Sequence, residues 1–456
     1  MGNFKHIKIM PMIILLSFLV VEASGALPKV INTVPENGSQ DVNSNLRQIR
    51  IVFDQDMDQG GYSICGGGPN YPEKIGDPRW VNKRTIVMQV KLVPDHTYQL
   101  SINCQSYRNF KNTKGESAEP YPIEFRTGSG KEGAKADTLN IADNNEAIEE
   151  LRKAIDEKYS YRDLRKVDWD RLFDRYSRAM KVTKTPEAFA EAAAEMLANA
   201  EDMHIWFKVG DKNVKGGFKR RVTQNSDMNV LEKSVRGWQK RSDAVFTGQF
   251  NDGIGYILID SWARERKQAL EEAYKAIEKF ANAPGLIIDV RSNSGGSEPL
   301  AEEFAGCFID EPKVYARHVY RNVREPGGFT KPNNRVLEPS EGRPKYRGKI
   351  AVLTGPVNMS SCEAFLLMMK QAPGCKLIGD KSYGSSGNPK PTELGNGVTV
   401  FLPSWKAMRP NGTCFEGEGI APDILIKTTE TEFKSRDAVL EAALKWLREP
   451  QMTPAR

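Results

Sequence analysis

The chain has 456 residues, a length that exceeds one ordinary domain and predicts two or three. Its formal net charge is +6, and the lysine and arginine residues are scattered among aspartate and glutamate instead of forming one basic stripe. This charge pattern disfavours a nucleic-acid partner.

The first 25 residues have the layout of a secretory signal peptide. Lys5 and Lys8 precede the apolar run IMPMIILLSFLVV, and the small residues of EASGA follow it, so we expect cleavage near Gly25 or Ala26. The alternative is a membrane anchor, but a dozen apolar residues are few against the ~20 that a helical span needs. The sequence therefore predicts an exported protein, periplasmic or extracellular, with no transmembrane anchor after signal cleavage.

Residues 27–128 show short alternating runs separated by turn residues, which is the pattern of a β-sandwich. The strand candidates are QIRIVFDQDM, RTIVMQVKL, TYQLSIN and YPIEFRTG. The phrases VPENGSQDV, LVPDHTYQLSI and IEFRTG resemble the bacterial Ig-like domains found on many exported proteins. The resemblance implies an Ig-like domain and does not identify its ligand. Residues 129–137 lack apolar periodicity and are predicted to be a linker.

The cysteines are even in number and lack the close spacing of structural zinc sites. They are Cys65, Cys104, Cys307, Cys362, Cys375 and Cys414. Export permits disulfides, and we expect one between Cys65 and Cys104 because both fall in one candidate domain. A pair of Cys375 with Cys414 is a weaker expectation. The remaining two are expected to be small buried apolar residues.

Residues 138–244 are predicted to be a helical segment with a small bundle. Apolar residues lie three or four apart in NEAIEELRKAIDEKY, DWDRLFDRYSRAM and PEAFAEAAAEMLANA. From residue 245 to 448 strands and helices alternate, and the strand candidates include GIGYILID, GLIIDVR, KIAVLTG, CKLIGD and GVTVFLP. This order predicts an α/β core. The fold class is therefore multidomain, with an all-β sandwich, a helical segment and an α/β core.

Two serines, Ser360 and Ser361, lie between the strand KIAVLTG and an amphipathic helix. A serine in this position can cap the helix, which is worth about 1 kcal/mol. It can also attack a carbonyl, because the free N–H groups and the positive end of the helix stabilise an oxyanion. Another strand ends in DVRSNSGG, whose glycines let a carbonyl approach backbone donors, although a simple tight turn explains them equally well.

Three stretches, taken in this order, resemble the tail-specific or C-terminal-processing serine peptidases of family S41 and their relatives in the tricorn core protease group. They are DVRSNSGG, SSCE and GIAPD. The resemblance covers roughly residues 138–448. It implies a ClpP/crotonase-like peptidase core, a peptide or protein substrate, and no metal or cofactor.

The resemblance also implies roles for residues by their position. Ser360 matches the nucleophile of the family's S-x-x-E pattern, and the backbone N–H of Ser361 matches one oxyanion donor. Gly295 or Gly296 matches the other donor. Ser361 is the alternative nucleophile, because a shift of one residue would exchange the two serines.

The general base differs from that of the Ser-Lys branch, which has a lysine in an F-G-K-G motif after the nucleophile. This chain has YGSSG, with Ser385 at the lysine position. A serine cannot deprotonate another serine, so the base must lie elsewhere. His204, in MLANAEDMHIWF, resembles the family's L-x-D-x-H motif and is the predicted base. His318 is expected to be a surface or packing residue.

The predicted acid is Glu416, which stands where the tricorn-like branch has its glutamate. Asp202 is the alternative, because it lies two residues before His204. In the tricorn core a serine directly before the histidine relays to the glutamate, and this chain has Met203 there. Glu416 must therefore reach His204 directly, through water, or not at all, and an ionised Glu416 near the ring would raise the histidine pKa.

The sequence thus predicts an exported serine endopeptidase that hydrolyses peptide bonds through an acyl-enzyme. Many relatives insert a PDZ domain after the histidine, but the roughly fifty residues between His204 and Gly253 are too few for one. This missing module, with Met203 and Ser385, supports the alternative of a catalytically inactive peptidase-fold binding or scaffold protein.

Overall fold

The structure, a computed structural model, describes residues 26–44, 46–129, 139–214, 217–427 and 429–450. The predicted signal peptide lies outside the described residues, and so does most of the predicted linker. The chain divides into two compact units, Met1–Asp137 and Thr138–Arg456. No helix within the described ranges has both the length and the apolar composition needed to cross a membrane.

The first unit is built from antiparallel strands. They are β1 (Val30–Val34), β2 (Gln48–Phe53), β3 (Ile64–Cys65), β4 (Glu73–Lys74), β5 (Arg79–Trp80), β6 (Thr85–Lys91), β7 (Thr97–Ile102) and β8 (Tyr121–Arg126). One sheet has the order β1–β2–β6–β4, with β5 also paired to β6, and the other has the order β3–β7–β8. Side chains alternate along β8, where Ile123 and Phe125 enter the core between exposed neighbours. The strands predicted here are present, and the Ig-like identity remains a prediction.

The second unit contains the three helices predicted between residues 138 and 244, the helix predicted after Ser360, and further helices. They are α1 (Ile141–Lys158), α2 (Trp169–Lys181), α3 (Pro186–Leu197), α4 (Met228–Ser234), α5 (Lys267–Lys279), α6 (Glu298–Ala305), α7 (Ser361–Met369), α8 (Glu430–Phe433) and α9 (Ala438–Arg448). The side chains of Asn140, Asp168 and Thr185 accept backbone N–H groups at the starts of α1, α2 and α3. Such capping residues determine where these three helices begin.

The strands of the second unit form three sheets. They are β9 (Trp206–Val209), β10 (Lys212–Asn213), β11 (Gln239–Lys240), β12 (Val245–Gln249), β13 (Gly255–Ile259), β14 (Gly285–Asp289), β15 (Lys313–Tyr320), β16 (Asn333–Leu337), β17 (Lys349–Thr354), β18 (Cys375–Gly379), β19 (Pro389–Glu393), β20 (Val398–Pro403), β21 (Trp405–Met408) and β22 (Ile424–Leu425). The largest sheet has the order β11–β12–β13–β14–β17–β18–β22 and is parallel from β13 onward. The smaller sheets have the orders β10–β9–β20–β19 and β16–β15–β21.

The seven-stranded sheet is buried on both faces. Along β13, Ile257 and Ile259 join the core formed with α5, α6 and α7, whereas Tyr256 and Leu258 join the core formed with α4 and α9. Burial on both faces explains why the strand reads as a continuous apolar run, as parallel strands usually do. The predicted α/β arrangement is therefore present.

The predicted helical segment, residues 138–244, shares a core with the end of the chain. The buried residues of α1, α2 and α3 pack with Val398, Val400 and Leu402 of β20. β9 also pairs with β20, so the two predicted segments contribute strands to one sheet. The apolar faces of the three helices pack against this sheet. The structure therefore shows one unit where the sequence predicted two segments.

The pairing of the cysteines agrees with the separate hydrophobic cores of the chain. Cys65 and Cys104 form the predicted disulfide, with their Cα atoms 6.2 Å apart. The expected second bond, Cys375 to Cys414, is wrong because both thiols are free. Cys375 packs against the core of the seven-stranded sheet, and Cys414 packs against the core of α1 to α3.

Candidate active site

The motif stretches meet at the carboxyl ends of adjacent parallel strands. Residues 290–297 follow β14, residues 355–360 follow β17, and residues 380–388 follow β18. Because these three strands are neighbours and parallel, the segments emerge at the same edge of the sheet. This is the edge at which open α/β sheets commonly bind ligands.

Ser360 occupies an unusual backbone conformation directly before α7. Its φ is +57° and its ψ is −130°, and its side chain makes no capping hydrogen bond to the helix. Its N–H donates to the carbonyl of Ser385 at 2.7 Å. The residue is partly exposed. Helix capping by this hydroxyl, the simpler of the two expectations, is therefore wrong, and the hydroxyl is free for another role.

Ser361 differs from its neighbour in accessibility. It is 6% exposed, and its buried Oγ has no hydrogen-bond partner among the described residues. As the first residue of α7, it has a backbone N–H that no helical carbonyl can accept. No described residue accepts this N–H either. Ser361 thus offers a free backbone donor beside Ser360, while its hydroxyl is enclosed.

The glycine turn supplies a second free donor. Gly295 donates its N–H to Oδ1 of Asn293 at 2.8 Å, so this N–H is already occupied. Gly296 has a φ of +138°, and its N–H has no acceptor in the described chain. A Cβ at Gly296 would lie 2.3 Å from the carbonyl carbon of Trp262, so only glycine allows this close backbone approach. Of the two predicted donors in this turn, Gly296 is the available one.

A buried asparagine joins the turns after β14 and β17. Asn358 donates through Nδ2 to the carbonyls of Val290 and Asn293, at 2.5 and 3.0 Å. Its Oδ1 accepts the N–H of Gly355 at 2.8 Å. These bonds hold the glycine turn and the Ser360 loop in a defined relation. Asn358 was not predicted from the sequence, although a polar residue in a turn between a buried strand and the SSCE stretch was a usable signal.

His204 lies in the loop between α3 and β9 and is 6% exposed. Its backbone N–H donates to Oδ1 of Asp202 at 2.8 Å, and its ring Nδ1 lies 2.8 Å from Oγ of Ser385. Burial lowers the pKa of His204; the charge of Asp202 opposes this, and the charges of Arg165 and Arg220 reinforce it. The increase expected from an ionised Glu416 near the ring is not found, because burial has the largest effect on the pKa and the carboxylate that opposes it is Asp202.

Ser385 was noted in the sequence only as a serine at the family's lysine position. It is fully buried, and its N–H donates to Oε2 of Glu363 at 2.9 Å. Glu363 also accepts the N–H of Gly384 at 2.7 Å and the hydroxyl of Ser382 at 2.5 Å. Burial raises the pKa of Glu363 to about 7, although these hydrogen bonds oppose the increase.

Glu416, the predicted acid, is buried but does not hydrogen-bond to the histidine ring. Its Oε1 accepts from the guanidinium of Arg165, and its Oε2 accepts the N–H of Ser386 at 2.8 Å. Burial, together with the charge of Asp202, raises the pKa of Glu416 well above its ordinary value. Of the three routes left open for this residue, direct contact with His204 is not made.

Asp202, the alternative acid, also bonds to groups other than the ring. Besides the N–H of His204, it accepts the hydroxyl of Tyr159 at 2.8 Å. Nη2 of Arg165 lies 3.4 Å from Asp202 and also contacts Glu416, so one guanidinium serves both acids. Asp202 thus positions the backbone of the histidine loop.

The sequence matches two family models. Residues 253–426 match "Peptidase family S41", and residues 142–198 match "Tricorn protease C1 domain". Residues 253–426 are therefore similar to peptidase family S41. Ser360, Ser385 and Glu416 lie within the S41 match, whereas His204 lies between the two matched ranges.

Curated relatives of this chain include processing proteases of Bacillus subtilis. The carboxy-terminal processing protease CtpB is 27% identical over 174 residues, which is 38% of this chain and 34% of the relative. CtpA is 25% identical over 217 residues, covering 48% of this chain and 43% of the relative. The chain thus spans less than half the length of these two relatives.

A solved structure is similar in fold to this chain. It is the crystal structure of a candidate peptidase from Parabacteroides merdae, which is 26% identical with a TM-score of 0.56. The similarity covers 68% of this chain and 98% of that chain. The chain therefore shares the fold of that peptidase over about two thirds of its residues.

Proposed function

We propose that this chain is an exported serine endopeptidase of family S41, with Ser360 as nucleophile and His204 as general base. The observation that carries the proposal is the environment of Ser360. Its hydroxyl is not engaged in helix capping, and the N–H of the next residue, Ser361, has no acceptor in the described chain. The N–H of Gly296 has no acceptor there either, and its neighbour Gly295 approaches Ser360 closely. Unpaired donors next to a partly exposed hydroxyl are what an acyl-transfer site requires.

The reaction follows from these groups. Oγ of Ser360 attacks the peptide carbonyl carbon while neutral His204 takes the hydroxyl proton, and the carbonyl oxygen becomes an oxyanion held by the two N–H groups. The imidazolium then protonates the departing amine as the C–N bond breaks, leaving an ester on Ser360. Water attacks this ester with His204 again acting as base, which releases the acid and restores the hydroxyl.

In the proposed mechanism Glu416 supports the site indirectly, without hydrogen-bonding to the histidine ring. Its carboxyl oxygens accept hydrogen bonds from the N–H of Ser386 and the guanidinium of Arg165, and it accepts none from the histidine ring. Glu416 thus holds in place the loop that lies beside the histidine. The substrate is a peptide or protein, as the names of the processing-protease relatives suggest.

Three further parts of the proposal rest on sequence patterns. Export follows from the signal-like layout of residues 1–25. The parallel sheet with helices on both faces supports a ClpP/crotonase-like core. The two antiparallel sheets formed by residues 30–126 support an Ig-like domain.

Labelling with a fluorophosphonate probe tests the assignment of the nucleophile. We expect the probe to modify Ser360 in the wild-type chain and Ser360→Ala to abolish both labelling and peptide cleavage. Ser361→Ala should still be labelled, because its backbone N–H remains. Loss of labelling in Ser361→Ala with retention in Ser360→Ala would reverse the two roles, and an unlabelled wild-type chain would favour the inactive scaffold.

A further inference from the structure

We infer that Ser385 is the positioning residue that orients His204, taking the place that a carboxylate has in most serine-histidine sites. The inference rests on the proposed function. Oγ of Ser385 lies 2.8 Å from Nδ1 of His204, while its carbonyl accepts the N–H of Ser360 at 2.7 Å. One residue therefore contacts both the nucleophile and the base.

The contact determines which ring nitrogen is free. A neutral histidine carries one proton, and it can act as base toward Ser360 only through an unprotonated Nε2. When Oγ of Ser385 accepts a hydrogen bond from Nδ1–H, the proton is held on Nδ1 and Nε2 remains the acceptor. After Nε2 takes a proton, Nδ1–H still donates to the same oxygen. The bond is thus present in both protonation states of the ring.

Ser385 is itself held rigidly enough for this role. Its side chain is fully buried, and three consecutive backbone N–H groups around it bind carboxylates. Gly384 and Ser385 donate to the two oxygens of Glu363, at 2.7 and 2.9 Å, and Ser386 donates to Glu416 at 2.8 Å. These acids therefore act on the histidine through the position of Ser385.

The carboxylates near the ring are used elsewhere. Asp202 accepts the backbone N–H of His204 and the hydroxyl of Tyr159. Glu416 accepts from Arg165 and Ser386. Among the residues that the structure describes, Ser385 is the one whose side chain hydrogen-bonds to the His204 ring.

Steady-state kinetics of Ser385→Ala test the inference. We expect kcat to fall about 10- to 100-fold with KM within about twofold, the usual effect of removing the group that orients a histidine. The acid limb of the pH profile should move to lower pH, because loss of an acceptor for Nδ1–H disfavours the imidazolium. Ser385→Cys keeps nearly the same volume with a weak hydrogen-bonding group, so it should change kcat in the same direction even if the alanine variant folds poorly.

Ser160→Ala is the matched control, because Ser160 is also a buried serine and its Oγ has no partner among the described residues. We expect its kcat and pH profile to stay at wild-type values. Wild-type kcat and an unmoved acid limb in both Ser385 variants would overturn the inference and leave the proposed function intact.

Nitrogen-15 NMR of the imidazole tests the same contact without enzyme activity. The chain has four histidines, and a His204→Gln spectrum identifies the His204 signals. We expect a single Nδ1–H tautomer in the wild type and a mixture of tautomers in Ser385→Ala. An unchanged tautomer in Ser385→Ala would overturn the inference. Absence of probe labelling in the wild type would reject the proposed function, and the spectra would still decide the role of Ser385.

Discussion

The backbone of Ser360 begins α7, but its side chain does not cap the helix. Its carbonyl accepts the N–H groups of Glu363 and Ala364, at 2.9 and 3.3 Å, so its backbone begins α7 as an N-cap residue does. Its positive φ, which costs of order 1 kcal/mol or more for a residue with a Cβ, keeps the side chain out of the cap. The 2.7 Å bond from its N–H to Ser385 helps to hold this conformation.

The pH dependence of catalysis follows from the burial of His204. The neutral ring is the active form, and burial lowers its pKa from an ordinary value of about 6.5. We therefore expect full activity at neutral pH, with kcat lost only as the pH falls through a value below about 6.5. A pH–rate profile measures this limb, and His204→Ala should lower kcat by about 10² to 10⁴.

The charged side chains near His204 allow a further test of the pH–rate profile. Asp202 raises the pKa of the ring, and Arg165 and Arg220 lower it. Arg220 is half-buried and donates to the carbonyls of Pro356 and Val357, and no hydrogen bond joins it to the His204 ring among the described residues. Arg220→Gln removes one positive charge and should move the limb to higher pH. A limb above pH ~7 in the wild type, or near-native turnover in His204→Ala, would contradict the histidine mechanism.

At the scale of elements, the Asp and Arg of the DVRSNSGG stretch join β14 to α9. Arg291 is fully buried and binds Asp289 at 2.7 Å and Asp437 at 2.8 Å, both through Nη2. Asp437 also caps α9 by accepting the N–H of Leu440 at 2.9 Å. The end of the strand that carries the glycine turn is therefore tied to the last helix.

Removing this guanidinium should destabilise the second unit. Arg291→Met leaves two buried carboxylates without their cation, and we expect the free energy of unfolding to fall by about 3 to 5 kcal/mol. Urea unfolding measures the change. Arg448→Met is the control, because the Arg448–Asp252 pair is largely exposed and such pairs contribute about 0 to 1 kcal/mol after solvent screening. Equal effects of the two substitutions would show that burial does not set the strength of the Arg291 network.

At the scale of the whole molecule, two units with separate cores predict two unfolding events. The core of the first unit is formed mainly by residues of β2, β6, β7 and β8 and of the loops between strands, and the Cys65–Cys104 disulfide lies within that unit. The cores of the second unit draw on residues from 147 to 447. Units of this kind commonly unfold independently.

Calorimetry of the full chain tests this prediction. Reduction of the Cys65–Cys104 bond should lower the stability of the first unit by about 2 to 4 kcal/mol, which moves its transition by roughly 10 °C or more and leaves the other in place. Cys65→Ser should move the same transition. Cys375→Ser, which alters a free thiol of the second unit, should not. Free thiols at both positions in peptide maps of protein from an oxidising compartment would refute the disulfide.

Local chemistry was sufficient for much of the architecture. Periodicity places α1, α2, α3 and the parallel strands, because a helix or strand that packs on a core must repeat its apolar residues at its own period. The Cys65–Cys104 pair was predictable because both residues fall in one β-unit. The order of three short motifs also located Ser360 and the glycine turn, since each follows a buried strand.

Contacts between distant parts of the chain were decided by the tertiary structure alone. Ser385 meets His204 across 181 residues, and Arg165 meets Glu416 across 251. No periodicity reports such pairs, because they depend on which strand ends lie side by side in the sheet. The same reason explains why Gly295 and Gly296 looked equivalent in sequence although Asn293 occupies only the first N–H. The type of a residue determines which bonds it can make, and the packing of the sheet determines which partners come within reach.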